Sequence, residues 1–389
     1  MTPFTQRVSH IEPEGAYAVL AKAQALEAKG REIIHLEIGE PDFDTYPNIA
    51  LAGIRAISTG KTRYNPPSGI PALRQVLAND AGQRRGVRFT PEQVVIGPGT
   101  KPFMLLPMLA ILNPGDEVIY PDPGFPSYAA AISIAGAVPV AVPLLEKHNF
   151  DLDPETLDAL ISPNTRMIIL NSPSNPTGSV FSAGTMAHLA DVAVKNDLWI
   201  ITDEIYSRFA YDGDAPSIIA LPGLSERTII ADGFSKAYAM TGWRLGYGLM
   251  PEALADRVGL LLTHALGCTA TFTQYAGLEA ELGPQDAVDA IRAEFQRRRD
   301  VIVQRLNDIP GIACRMPQGA FYVFPNVRSF RKPAAELADY LLEEAGVAVL
   351  SGTDFGQYGE GYLRLSYTNS LENIHKGLDR MKDALARLQ

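Results

Sequence analysis

The chain has 389 residues, 46% of them hydrophobic and 20% charged, with a formal net charge of −10. Single cores stop growing near roughly 250–300 residues, so this length predicts more than one domain. The acidic balance argues against a nucleic-acid binder, which needs basic surface to meet phosphates. The N-terminus, MTPFTQRVSHIEPEG, lacks the apolar run of a secretion signal. The most apolar stretch, AAAISIAGAVPVAVPLL at 129–145, is too short and too interrupted by proline to span a bilayer. Cys268 and Cys314 form no metal or redox motif and read as thiols of a reducing compartment. A soluble, cytoplasmic protein with neither membrane nor nucleic-acid partners is expected.

Residues 15–29 carry apolar positions at helical spacing and stop at Gly30. IIHLEIGEPDF at 33–43 reads as a short strand running into a Gly/Pro loop. Helical runs at 47–59 and 71–84 flank the turn-rich TRYNPPSGIP. From Gln93 a single figure repeats: four or five apolar residues, then glycine-rich or polar chemistry. It recurs in QVVIG, DEVIYPDPGF, MIILNSPSNPTG, LWIITDEIY, TIIADGFSK and RLGYGLM. Apolar runs without two-residue alternation fit strands buried on both faces of a parallel sheet. Strands alternating with helices predict a doubly wound α/β domain with a mostly parallel sheet, whose ligands sit beyond the carboxyl ends of the strands. Beyond about 280 the texture changes to charged helices and short strands (AFYVFP, VAVLSG, YLRLSY), as in a smaller α+β domain.

Each suggestive loop follows one of these strands. Lys236 lies just past TIIA, with Ser235 beside it and Arg244 eight residues on, a pairing that suits a covalent amine meeting a phosphorylated ligand. Asp203 ends LWIIT, where a buried acid is costly unless paired or used, and Tyr206 follows it. NSPSNPTG is a rigid loop that can aim Asn175. Gly99, Thr100 and Lys101 stand where a helix begins, so free N–H groups there suit a phosphate. The loop is no dinucleotide fingerprint, because the third glycine of GxGxxG falls at Pro102. Phe125 is an aromatic in a loop after a strand. Arg364 alternates with Leu363 and Leu365, and either a salt bridge or bidentate capture of a carboxylate would suit it.

Taken together, Asn175, Asp203, Lys236 and Arg244 in NPTG, D-x-x-Y, S-K and G-W-R, at spacings of 28, 33 and 8, resemble the class I aminotransferases. These are pyridoxal-phosphate (PLP) enzymes of fold type I. LEIGEPDFDT, RYNPPSGIPALR and AMTGWRLGY resemble the prokaryotic aspartate aminotransferase-like branch. The resemblance runs from about Ala16 to the C-terminus. It implies a large PLP-binding domain over 47–282, and a small one built from 16–46 and 283–389, after an N-terminal arm over 1–15.

It also implies roles. Lys236 would hold PLP as a Schiff base and then shuttle a proton. Asp203 would pair with the pyridinium nitrogen, and Asn175 and Tyr206 would bond the phenolate oxygen. Arg244, with the N–H groups of Gly99, Thr100 and Lys101, would hold the phosphate, helped by Ser235. Phe125 would stack on the ring. Arg364 would clamp the substrate carboxylate, with Gly39 leaving room beside it. Tyr64 would reach across a homodimer to the neighbouring phosphate. The implied reaction moves an amino group from an L-amino acid to a 2-oxo acid such as 2-oxoglutarate, in a ping-pong cycle. A PLP lyase or synthase acting at Cβ or Cγ needs the same residues. Two departures stand out. Gly233 occupies a place where many relatives carry a hydroxyl, and no second arginine is evident for a side-chain carboxylate, which leaves aspartate, alanine, aromatic and other apolar donors open.

Overall fold

The computed structural model describes residues 5, 11, 13–213 and 215–388, so most of the expected arm over 1–15 lies outside the described residues. Its strands, in chain order, are β1 (Ile34–His35), β2 (Val94–Gly97), β3 (Glu117–Asp122), β4 (Val138–Pro143), β5 (Thr165–Asn171) and β6 (Trp199–Asp203). There follow β7 (Thr228–Gly233), β8 (Gly246–Leu249), β9 (Tyr322–Val323), β10 (Val347–Ala348), β11 (Leu350–Ser351) and β12 (Leu363–Ser366). Seven of them form one sheet in the order β2-β8-β7-β6-β5-β3-β4.

Burial on both faces is visible along single strands. Met167 and Ile169 of β5 pack with Phe103, Met104, Val258 and Leu262, from helices Pro102–Ile111 and Glu252–Ala265. Ile168 and Leu170, one step out of phase, pack on the opposite face with Met186 and Leu189 of helix Ala183–Lys195. This is why MIIL reads as an unbroken apolar run. Leu189 is fully buried, and truncating it to alanine should cost about 2–5 kcal/mol.

The sheet is mostly parallel, as expected, with one strand reversed. RLGYGLM forms β8, which runs antiparallel to both of its neighbours, β2 and β7. A parallel return needs a crossover long enough to carry the chain back along the sheet. The segment from Phe234 to Leu245 instead folds as turns at the strand end. That keeps Lys236 and Arg244 at the same edge.

The second region ties the two ends of the sequence together. β1 pairs in parallel with β10, and β11-β12-β9 form a small antiparallel sheet. Helices Asp286–Asn307 and Leu371–Leu385 cover it. One apolar core runs from Leu73 and Leu77 through Phe295 to Leu363 and Leu378, so both regions share buried contacts.

Candidate active site

The strands β2, β3, β5, β6 and β7 all point their carboxyl ends at one edge of the large sheet, because β2 and β7 share a direction opposite to β8. The loops leaving this edge carry Thr100, Lys101, Phe125, Asn175, Asp203, Tyr206, Ser235 and Lys236. β12 adds Arg364 and the segment after β1 adds Gly39. With Arg244, these residues line one cavity of about 530 Å³. Gly99 sits at its rim, against Arg244. Tyr64 lies elsewhere, 98% exposed.

Lys236 donates from Nζ to the Gly39 carbonyl at 2.6 Å. Burial pulls its amine down to about 8, and the nearby Arg364 and Arg244 act the same way, against Glu40 and Asp203. Roughly a tenth of the amine is therefore neutral and nucleophilic at pH 7, far more than for an ordinary lysine.

Asp203 shows the opposite shift. Burial pushes its carboxyl up to about 7, against hydrogen bonds from the Tyr128 hydroxyl (2.9 Å) and the Ile205 N–H (3.3 Å). Among the described residues no basic side chain pairs with it. Its neighbour Asn171 donates from Nδ2 to the Asp203 carbonyl at 3.0 Å and accepts the Asn175 N–H at 2.8 Å. That pair of bonds fixes the NPTG loop against β6. Asn175 Oδ1 is buried and has no partner among the described residues.

Tyr206 and Tyr322 share a hydrogen bond between their hydroxyls at 2.8 Å. The Tyr322 ring lies 4.6 Å from the Arg364 guanidinium, and the Phe355 ring lies 5.2 Å from it. Arg364 donates from Nη2 to the Glu37 carbonyl, while its Nε is buried and unpartnered. Leu363 and Leu365 on either side are core residues, as the alternation predicts. Gly39 needs a different account from the one expected. A Cβ there would fall 2.0 Å from the Tyr322 hydroxyl oxygen, so the space it leaves is taken by Tyr322.

The Gly99–Lys101 loop opens helix Pro102–Ile111. Gly99 has φ +88°, and a Cβ on it would lie 2.4 Å from Arg244 Nη2. Only glycine permits that approach. Arg244 itself has φ +54° and donates to the carbonyls of Thr241 (2.9 Å) and Pro98 (3.4 Å), which hold its guanidinium over the loop. A Cβ at Gly233 would meet Gly246 Cα at 2.9 Å, so this chain has no room for the hydroxyl residue. Phe125 packs edge-on against Tyr128, at 5.7 Å between ring centroids, with Lys101 Nζ 5.4 Å from its ring.

Sequence reasoning missed Tyr128, Asn171, Tyr322 and Phe355. Asn171 had a signal, since it ends an apolar strand as Asp203 does. Tyr322 and Phe355 had none: Tyr322 bonds Tyr206 from far along the chain, and Phe355 meets Arg364 through a ring face that no local pattern marks.

One ligand chemistry would answer these unmet groups together: an aromatic ring bearing an aldehyde for a neutral amine, a basic nitrogen for Asp203, a hydroxyl for Asn175 and Tyr206, and a phosphate for the Gly99–Lys101 N–H groups and Arg244. That is the chemistry of a PLP enzyme, and the residues fit it.

Comparison with known proteins narrows the class. Residues 31–381 match the family described as aminotransferase class I and II. A probable aspartate/prephenate aminotransferase from Aquifex aeolicus is 39% identical, with 98% of each chain covered. An aspartate aminotransferase from Pyrococcus horikoshii is 41% identical over 92% of each chain. The crystal structure of Thermus thermophilus aspartate aminotransferase with maleate superposes with a TM-score of 0.94 at 37% identity, covering 99% of this chain and 100% of that one. The chain belongs to the class I and II aminotransferases and is a PLP-dependent transaminase.

Proposed function

We propose that the strand-edge cavity is the transamination site, with Lys236 as its acid–base residue, and that it moves an amino group from an L-amino acid to a 2-oxo acid such as 2-oxoglutarate. The observation that carries this reading is the meeting of Lys236, Asp203, Asn175, Tyr206 and Arg364 in one cavity, although they come from four strands separated in sequence. When bound, PLP supplies an electron sink for charge developing at the substrate α-carbon. The chain's own residues do the rest. Lys236 first holds the cofactor through its amine. The same amine, when free, would move a proton at the substrate α-carbon, and an amine pulled down to about 8 is matched to that work. Asp203 would keep a proton on the cofactor's ring nitrogen, since a cation facing the carboxyl would draw its pKa back down. Asn175 and Tyr206 bond the ring oxygen. Arg244, Ser235 and the Gly99, Thr100 and Lys101 N–H groups hold the phosphate, and Phe125 covers the ring. Arg364, held between Tyr322 and Phe355, offers its unpartnered Nε to the substrate α-carboxylate.

A homodimer belongs to the same proposal. Leu51, Ile54 and Ile57 form an exposed stripe on helix Pro47–Ser58, and Tyr64 follows it on the same surface-exposed stretch. A second cavity, about 690 Å³, shares Glu40, Thr241, Gly242 and Arg244 with the first and extends to the exposed Leu266. A second copy seated there would bring Tyr64 to its neighbour's phosphate. We divide the chain into a large domain, 47–282, and a small one, 16–46 with 283–389, a division supported by the β1–β10 pairing. No helix among the described residues is long and apolar enough to cross a membrane, and we place the enzyme in the cytoplasm.

The test is a single half-reaction. Incubating holoenzyme with each amino acid, and no acceptor, should release one equivalent of 2-oxo acid per site and no ammonia. Sustained release of ammonia would assign the site to a lyase instead.

A further inference from the structure

Four cations and four carboxylates line the cavity: Lys101, Lys236, Arg244 and Arg364 against Glu14, Glu40, Asp203 and Asp354. Under the transaminase reading most of these are committed. Lys236 and Asp203 face the cofactor, Arg244 faces the phosphate, and Arg364 faces the α-carboxylate. Among the described residues, the cation left for a substrate side chain is Lys101.

Lys101 is already engaged. Its ammonium donates to Glu14 Oε1, and the same oxygen accepts the Ser127 hydroxyl at 2.9 Å. Glu14 directly precedes helix Gly15–Glu27, at the mouth of the cavity, and Gly15, Ala16, Tyr17 and Leu20 line the wall beside it. The pair is partly open to solvent, with the Glu14 side chain 25% exposed and that of Lys101 52% exposed. Pairs of this kind hold weakly and exchange partners readily.

We infer that Glu14 is a specificity-determining residue that competes with the distal carboxylate of a substrate for Lys101. With an uncharged side chain bound, Glu14 keeps Lys101 neutralised and the outer cavity presents apolar and aromatic surface from Leu20, Tyr17 and Phe125. With a dicarboxylate bound, the distal carboxylate must displace Glu14, whose own charge then repels it. The competition handicaps acidic side chains relative to neutral ones without forbidding either. A ping-pong enzyme needs that latitude when donor and acceptor differ in side-chain charge. This inference rests on the transaminase reading for the commitment of the other three cations.

The test uses PLP-loaded wild-type enzyme and the variants Glu14→Gln and Glu14→Ala. Calorimetry measures binding of succinate and of 3-phenylpropionate, which share one carboxylate and differ in the second. Glu14→Gln should tighten succinate roughly three- to fivefold, the upper end of the scale for one partly exposed ion pair, and leave 3-phenylpropionate within about twofold. In the half-reaction, kcat/KM for aspartate over phenylalanine should rise by a similar factor. Unchanged or weaker succinate binding in both variants overturns the role of Glu14. Release of no 2-oxo acid from any donor, by wild type or variant, overturns the transaminase reading itself, whatever succinate does.

Discussion

Two sets of buried charges sit back to back across the large sheet, and they behave in opposite ways. Asp203 faces the cavity. Glu204, the next residue, faces away and joins Arg85 and Asp232, where Arg85 donates from Nε to Glu204 at 2.7 Å and from Nη2 to Asp232 at 2.8 Å. The Tyr247 hydroxyl completes Asp232 at 2.9 Å and that of Ser217 completes Glu204 at 2.6 Å. Burial works to raise the Asp232 carboxyl, yet Arg85 and Arg84 hold it below its usual range. Asp203, equally buried but without a cation, is pushed up to about 7. Burial is common to both. Pairing decides the sign. The closed network serves the fold, and the open set is the one we propose a cofactor and substrate complete.

That contrast can be broken by substitution. Lys236→Ala should lower turnover roughly 10⁴-fold or more and leave thermal stability of the cofactor-free protein close to wild type; a variant that retained turnover would show that another amine does the work. Arg85→Ala should do the reverse. It leaves the buried Glu204 without a cation and Asp232 with Arg84 alone, so denaturant unfolding should report a loss of about 3–5 kcal/mol, while kcat at low temperature stays near wild type. A purely catalytic defect there would dissolve the distinction between the two sets.

Arg364→Ala should raise KM for amino acids by roughly 10²-fold, from the loss of charge-assisted bonds in a desolvated site, with a much smaller change in PLP affinity. Equal losses would mean that Arg364 supports the cofactor rather than the substrate. The smallest effect concerns Asp203 without its cofactor. Its folded pKa is raised, so the folded state binds the extra proton and stability is lost as pH rises from about 4 toward about 7. Removing the charge in cofactor-free Asp203→Asn should therefore raise Tm by about 2–4 °C at pH 8. The gain should shrink toward pH 5, as followed by thermal melts across pH. A loss at pH 8 would mean that the carboxylate has a hidden partner.

Much of this was legible before any coordinates. Lys236, Asp203, Asn175 and Gly99–Lys101 each stand directly after an apolar run, and strands packed in parallel must bring such residues to one edge. Which strand breaks the parallel run was not legible, because the apolar run of β8 carries no mark of direction; the short, turn-built segment from Phe234 to Leu245 sets that. Gly39 looked like space for a substrate, and only the fold shows Tyr322 filling it. Tyr322, Phe355 and Glu14 act through partners more than 80 positions away in sequence, or through ring faces that no local pattern encodes. The closed network was hidden for the same reason, since nothing in AGQRR, DEIY or IIADG announces that Arg85 bridges Glu204 and Asp232.

The central claim is that the amine at the end of β7 holds the cofactor. Borohydride reduction of PLP-loaded enzyme fixes the cofactor permanently to whichever amine carries it, and peptide mass spectrometry then locates it. The account predicts a single modified peptide with the added mass on Lys236. Modification of a different lysine, or of several in comparable amounts, would contradict it.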